Sequence, residues 1–395
     1  MLRWTQGNKV TVNRIQWDKH EMLAALDVFC NDWFGPGVYA GKFGKQLSDI
    51  LAVDYVQLVN SGSSALLLAV QALKHEGRFK DGDKILHPAC TFPTSCTGAL
   101  QSGLELVLVD VEEGTYNIDL EAAKQAMAKY DIAGAIVPHL LGNSPKMDEL
   151  VELLDGRPLI EDACDTLGTK YDGKMTGAWG DMTAFSFYGS HHITTAGVGG
   201  ALATNNERYY DLANSMAMWG RWWKDVPDDV YEKFMARYWY GTLGYDMQMS
   251  DIQAAFGYEQ LKRLDQWNRE RNTVFGTVDK FMKKFERWFV LPKAHPKAEP
   301  SWFGYPLLLE EDTPFTKKEI SLHLIANGIE IRPLFVGNLL LHPAFKNRSD
   351  IHVSGELTNS NANYDRAFFI PSWGMPDEHL TKMISVLYDF LVKYE

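Results

Sequence analysis

The chain has 395 residues, 46% apolar and 23% charged, which suits a globular enzyme with one large domain and a smaller one. A formal net charge of −12 argues against a nucleic-acid groove, since neutralising phosphates takes an excess of Lys and Arg. It leaves room for a small phosphorylated ligand held by a few local donors.

The opening segment, MLRWTQGNKVTVNR, carries no apolar signal-peptide core, and no apolar run approaches the length of a membrane span. Cys30, Cys90, Cys96 and Cys164 form no CxxC pair, which predicts a reducing compartment, no disulfide framework and no zinc site. A cytoplasmic protein is expected.

Asn60-Ser61-Gly62-Ser63-Ser64 leads into an apolar, helix-forming run. Free N–H groups at a helix start flanked by Gly and Ser can hold an anion; a plain loop-to-helix turn capped by Ser is the alternative. From about residue 55 to 205, short apolar runs alternate with helical stretches. Lys84–Leu86, Glu105–Asp110, Ala135–Pro138, Leu159–Asp162, Met182–Phe187 and Gly200–Thr204 read as buried strands. That alternation predicts an α/β fold with a mostly parallel sheet and helices on both faces. Ligands of such sheets bind beyond the carboxyl ends of the strands.

Leu159–Asp162 ends in two carboxylates, and an Asp at that place can pair with a protonated pyridine nitrogen or be a solvated strand-end acid. Thr316-Lys317-Lys318-Glu319 is a capping box opening a helix that Gly328 can close, with the strand-like Ile329–Leu334 behind it. Leu380, Met383, Ile384, Leu387, Phe390 and Leu391 recur at helical spacing. A boundary near residue 258 is expected, with a large domain over 1–258 and a small α+β domain over 259–395. The N-terminal helix is expected against the large domain or packed on the small one.

The segment from Gly180 to Gly200 is the most specific, reading Phe185-Ser186-Phe187-Tyr188-Gly189-Ser190-His191-His192 and closing on Gly199-Gly200. It resembles the DegT/StrS family of sugar aminotransferases, a fold-type I pyridoxal-phosphate family. That motif has a strand, a phosphate-binding Ser, a Schiff-base Lys five residues later, and Gly-Gly. Here the Lys position is His191, as in the subgroup of nucleotide-sugar 3-dehydratases. Further matches are Pro88–Thr94, Leu140–Asn143, Glu161–Gly168, Ser301–Gly304, Arg332-Pro333, Gly337-Asn338 and Gly355–Asn359.

The resemblance implies pyridoxal or pyridoxamine phosphate as cofactor. Asp162 would pair with the ring nitrogen, Phe92 stack on the ring, and Asp165 lie near its hydroxyl. Gly62, Ser63 and Ser186 would hold the phosphate. Arg332 would take a substrate phosphate or a donor carboxylate, or else form an ion pair within the small domain. Imidazole cannot tether the cofactor, but it can move protons near neutral pH, so His191 becomes the base for loss of the C-3 hydroxyl from a nucleotide-linked 4-keto sugar. His192 is read as packing or support. Without the resemblance, a His-His pair in a loop is more often structural or a metal ligand.

One type in the subgroup carries a 2Fe–2S cluster and uses a reductase; the other recovers its amine from L-glutamate. A cluster needs four thiolates. Cys164 matches a family cysteine, but Arg221–Pro227, where the other three belong, contains none, so no cluster is expected and glutamate is the expected donor. The Trp- and Tyr-rich run Trp219–Tyr245 is read as lining the sugar-nucleotide cleft, with Trp219 against substrate, or as buried in a subunit interface.

Two positions depart from the family. Val198 replaces the usual Glu before Gly-Gly, and Asp246 replaces an Asn that reaches the cofactor phosphate of the neighbouring subunit in a homodimer or larger assembly. A carboxylate about 4 Å from that dianion would cost on the order of 4 kcal/mol for each phosphate charge at an effective dielectric of about 20. Asp246 is therefore protonated, turned away, or part of a pocket that holds the cofactor differently. Beside the 3-dehydratase stand two alternatives: another reaction on a keto sugar, and a binding or regulatory relative that has lost catalysis.

Overall fold

The computed structural model describes residues 9–395 apart from 223, 225 and 227, so part of the cysteine-free stretch lies outside the described residues. Eight strands form the central sheet in the order Tyr55–Val59, Gly200–Thr204, Met182–Ser186, Leu159–Asp162, Ile132–Pro138, Lys84–Pro88, Glu105–Val109 and Ile351–Val353. Only Gly200–Thr204 runs against the rest.

The strands are buried on both sides, which is why they read as apolar runs. Leu106 and Leu108 pack beneath the helices Gly62–His75, Thr94–Gln101 and Glu207–Ala217, while Val107 and Val109 point into the opposite core with the helices Leu120–Lys129 and Met147–Leu154. All six strands expected from the sequence are present. Leu159–Asp162 and Gly200–Thr204 have the expected ends, two strands stop one residue earlier, and Lys84–Pro88 and Ile132–Pro138 are longer by two and three residues.

A second, antiparallel sheet joins Phe289–Val290, Gly304–Leu309, Ala367–Pro371 and Arg332–Pro333, and the helices Lys317–Ala326 and Asp377–Leu391 cover it. The capping box at Thr316 forms, and Gly328 follows the helix with φ of +77°. Of the expected strand Ile329–Leu334 only Arg332–Pro333 is laddered in this sheet, while Ile329 bridges to Val10 instead.

The expected break near residue 258 falls inside the helix Asp251–Leu261. The core changes later, within the long helix Leu264–Met282. Its Trp267 packs with the large sheet, and its Val274 and Val278 pack with the small one. The helix Lys19–Cys30 sets Ala24 and Val28 against Ala255 and so belongs to the large half. It is the segment before it that reaches the small half, through a parallel bridge from Val10 to Ile329. Among the described residues no helix is long and apolar enough to cross a membrane.

Candidate active site

The carboxyl ends of the parallel strands open into a cavity of about 720 Å³. Gly62, Ser63, Phe92, Asp162, Asp165, Ser186, His191 and Arg332 all line it, although they lie up to 270 residues apart in sequence.

At the start of the Gly62–His75 helix, Ser61 Oγ accepts from Ser64 N, and Ala65 N donates to Ser61 O. The N–H groups of Gly62 and Ser63 are the first-turn donors left over, which makes an anion cradle. Space there requires glycine: a Cβ on Gly62 would come within 2.6 Å of Cys164 Sγ and 2.9 Å of Ser186 Cβ. A Cβ on Gly200 would meet the Ser61 carbonyl carbon at 2.4 Å. Ser186 ends its strand beside this cradle, opposite Gly200.

Asp162 ends the next strand and is buried. Ser95 Oγ donates to its Oδ2, and Cys164 N donates to its Oδ1 at 3.2 Å. Burial and the charge of Asp162 push the Asp165 carboxyl up to about 8, against the opposing pull of Arg271. Asp165 is thus mostly neutral at pH 7, which lowers the cost of two carboxyl groups side by side.

His191 follows a turn in which its own N donates to Tyr188 O at 2.9 Å. Its Nδ1 lies 3.3 Å from Ser186 O, and its Nε2 lies 3.8 Å from Asp165 Oδ1. A carbonyl only accepts, so the proton sits on Nδ1 and Nε2 keeps its lone pair. Burial lowers the imidazole to about 4, with the Arg271 charge acting in the same direction and the Ser186 contact opposing. The imidazole is therefore neutral at pH 7. His192 points elsewhere: it is buried, with Nε2 2.7 Å from Ser301 O.

The DegT/DnrJ/EryC1/StrS aminotransferase family profile matches residues 16–387. The chain belongs to this family. It is 34% identical over 391 residues to lipopolysaccharide biosynthesis protein RfbH of Salmonella typhimurium, covering 94% of this chain and 89% of that protein. It is 31% identical to a dTDP-4-dehydro-2,6-dideoxy-D-glucose 3-dehydratase of Saccharopolyspora spinosa, over 95% of this chain and 85% of that one. Among solved structures, GDP-4-keto-6-deoxymannose-3-dehydratase with a trapped PLP–glutamate geminal diamine superposes with a TM-score of 0.87 at 27% identity, covering 96% of this chain and 100% of that one.

Two residues named from the sequence lie outside this cavity. Asp246 is exposed, bridged to Met218 in an antiparallel pair, and its Oδ1 accepts from Gln248 Nε2 at 3.1 Å. Trp219 stands next to that bridge with φ of +61°, its ring under the Arg221 guanidinium at 4.8 Å. Both belong to a surface excursion over 219–246, as far as its residues are described, that this chain's own cavity does not use. Arg332 reaches the cavity wall but is ion-paired there, its Nε and Nη2 donating to Glu330 Oε1 at 3.0 and 2.6 Å. Both readings of Arg332 thus describe the same place.

Several lining residues escaped the sequence reading: Ser95 beneath Asp162, Glu330, Tyr188, Phe303, Asn13 and His139. His139 follows the Ile132–Pro138 strand and sets Nε2 2.9 Å from Glu161 Oε2. Glu161, the other strand-end acid, is buried against that imidazole and the N–H groups of Gly177, Trp179 and Gly180. Its role is structural. The strand-end position of His139 was the available signal; nothing local marked Asn13 or Glu330.

Proposed function

We propose that this chain removes the C-3 hydroxyl of a 4-keto-6-deoxy nucleotide sugar with pyridoxamine phosphate as cofactor and His191 as base. The observation that carries this reading is an imidazole, His191, in the cavity wall five residues after the strand that ends at Ser186, with Nδ1 3.3 Å from Ser186 O and Nε2 3.8 Å from Asp165 Oδ1.

The residues present fit such a cofactor. The glycine-walled cradle at Gly62 and Gly200 admits a phosphate onto free N–H groups, with Ser186 beside it. Asp162, oriented by Ser95 and the Cys164 N–H, offers a buried carboxylate for a protonated ring nitrogen. Phe92 is exposed at the wall and free to stack on the ring. When bound, the cofactor supplies an amine for the C-4 ketone and a ring that takes up an electron pair. His191 Nε2 would take up the proton released as the C-3 hydroxyl is expelled and return it to that hydroxyl, which leaves as water, with Asp165 Oδ1 3.8 Å away. Arg332, released from Glu330, is placed to hold a phosphate or a donor carboxylate.

L-glutamate is proposed as the amine source, and a homodimer or larger as the working assembly. No iron–sulfur cluster is proposed. Cys96 and Cys90 lie in different cores, and Cys30 is exposed on the far helix. The test is incubation of the purified protein with pyridoxamine phosphate and a panel of CDP-, GDP- and dTDP-linked 4-keto-6-deoxy sugars, read by NMR. A 3-deoxy product supports the reading. A 4-amino sugar with C-3 intact refutes it.

A further inference from the structure

The segment before the first helix ties the small half of the molecule to the loop that carries His191. Val10 is fully buried; its N donates to Gly328 O at 2.9 Å and its O accepts from Glu330 N at 2.8 Å. Thr11 O accepts from Trp373 Nε1 at 2.8 Å, and Val12 N donates to Glu330 Oε2 at 3.2 Å. The strap is thus anchored before it reaches the cavity. Asn13 then donates through Nδ2 to two consecutive carbonyls, Ser190 O at 2.6 Å and His191 O at 3.0 Å. Its Oδ1 accepts from Arg14 N at 2.9 Å, which fixes the orientation of the amide. Behind the turn, Arg271, only 3% exposed, donates through Nη2 to the same His191 carbonyl at 3.4 Å.

We propose that Asn13 is a positioning residue for His191, holding the Ser190 and His191 carbonyls so that the imidazole keeps Nδ1 on Ser186 O and presents Nε2 to the cavity. This rests on the reading of His191 as the base. The geometry supports it in three ways. The hydrogen bonds of Asn13 to this turn go to backbone carbonyls, so its effect passes through the turn. Its anchors at Val10, Thr11 and Val12 stand without it, so removing the amide leaves the strap in place. The chain Arg332–Glu330–Val12–Asn13 also joins the candidate anion-binding arginine to the base turn, placing both walls of the cavity on one set of hydrogen bonds.

The full-length protein carrying Asn13→Ala or Asn13→Asp tests this; the second keeps the side-chain shape and removes both donors. Ring-nitrogen NMR of His191 is expected to show one tautomer, protonated on Nδ1, in the wild type and a mixture in both variants. Turnover should fall on the order of ten- to hundredfold, with affinity for pyridoxamine phosphate held within about twofold. An unchanged His191 tautomer in the variants overturns the proposal whatever happens to the rate. So does a parallel loss of cofactor affinity, or failure of both variants to fold, since each marks a structural role. If wild type dehydrates no keto sugar, the functional reading fails, while the tautomer comparison still decides the role of Asn13.

Discussion

An imidazole, unlike a lysine amine, cannot form a Schiff base with an aldehyde cofactor but can accept a proton. Wild-type protein treated with pyridoxal phosphate and borohydride is therefore expected to carry no reduced adduct by mass spectrometry. His191→Lys is expected to carry one and to lose dehydration; an adduct on the wild type would show that another group forms the tether. The same residue sets a pH dependence. A base must be unprotonated to act, and burial holds His191 at about 4 rather than near 6.5. It is lost only as pH falls through that lower value, so the acid limb of kcat/KM is expected below pH 5. A limb centred between pH 6 and 7 would mean that the ring is solvated in the working enzyme, or that another group is titrating.

At the level of elements, the cradle depends on a helix, two strands and the absence of side chains between them. Gly62→Ala adds a methyl 2.6 Å from Cys164 Sγ and 2.9 Å from Ser186 Cβ, so the helix start or Ser186 must shift. Such overpacking costs about 1–3 kcal/mol. A lower melting temperature and weaker pyridoxamine phosphate binding in calorimetry are expected; wild-type affinity would show that the cradle does not hold the phosphate. These elements were legible in the sequence because strands buried on both faces are continuous apolar runs, and because a Gly- and Ser-rich turn announces the helix start capped by Ser61. The edge strands were not. Tyr55–Val59 is half-buried and carries Gln57, and Ile351–Val353 is three residues long. Ser95, Glu330 and Asn13 had no local signature either, since each acts on a partner between 67 and 318 residues away, a distance only the tertiary fold closes.

Across the whole molecule, exposed apolar side chains gather in two places. One is the outer face of the Lys19–Cys30 helix, with Met22, Leu23, Leu26 and Phe29; the other is the 219–246 excursion, with Tyr238, Trp239, Tyr240 and Leu243, the last 96% exposed. Patches of this kind mark interaction surfaces. A homodimer or larger species is expected at micromolar concentration in sedimentation, and Leu243→Asp is expected to weaken it; a wild-type monomer would refute this. Asp246 sits on that same excursion, away from its own chain's cavity, and a second subunit is what could bring it to a cofactor phosphate. If it arrives there, its carboxylate opposes the dianion, while an amide of the same shape would donate a hydrogen bond worth about 1–3 kcal/mol. Asp246→Asn is therefore expected to bind pyridoxamine phosphate roughly tenfold more tightly, a factor worth about 1.4 kcal/mol. The gain should disappear when the dimer is dissociated by Leu243→Asp, because it needs the neighbouring chain. Calorimetric titration of the wild type, Asp246→Asn and the double variant separates the possibilities. Equal affinities for wild type and Asp246→Asn would place Asp246 off the phosphate. A gain that survives in the monomer would place it over its own cavity, which would require the excursion to fold back from the position its bridge to Met218 now gives it.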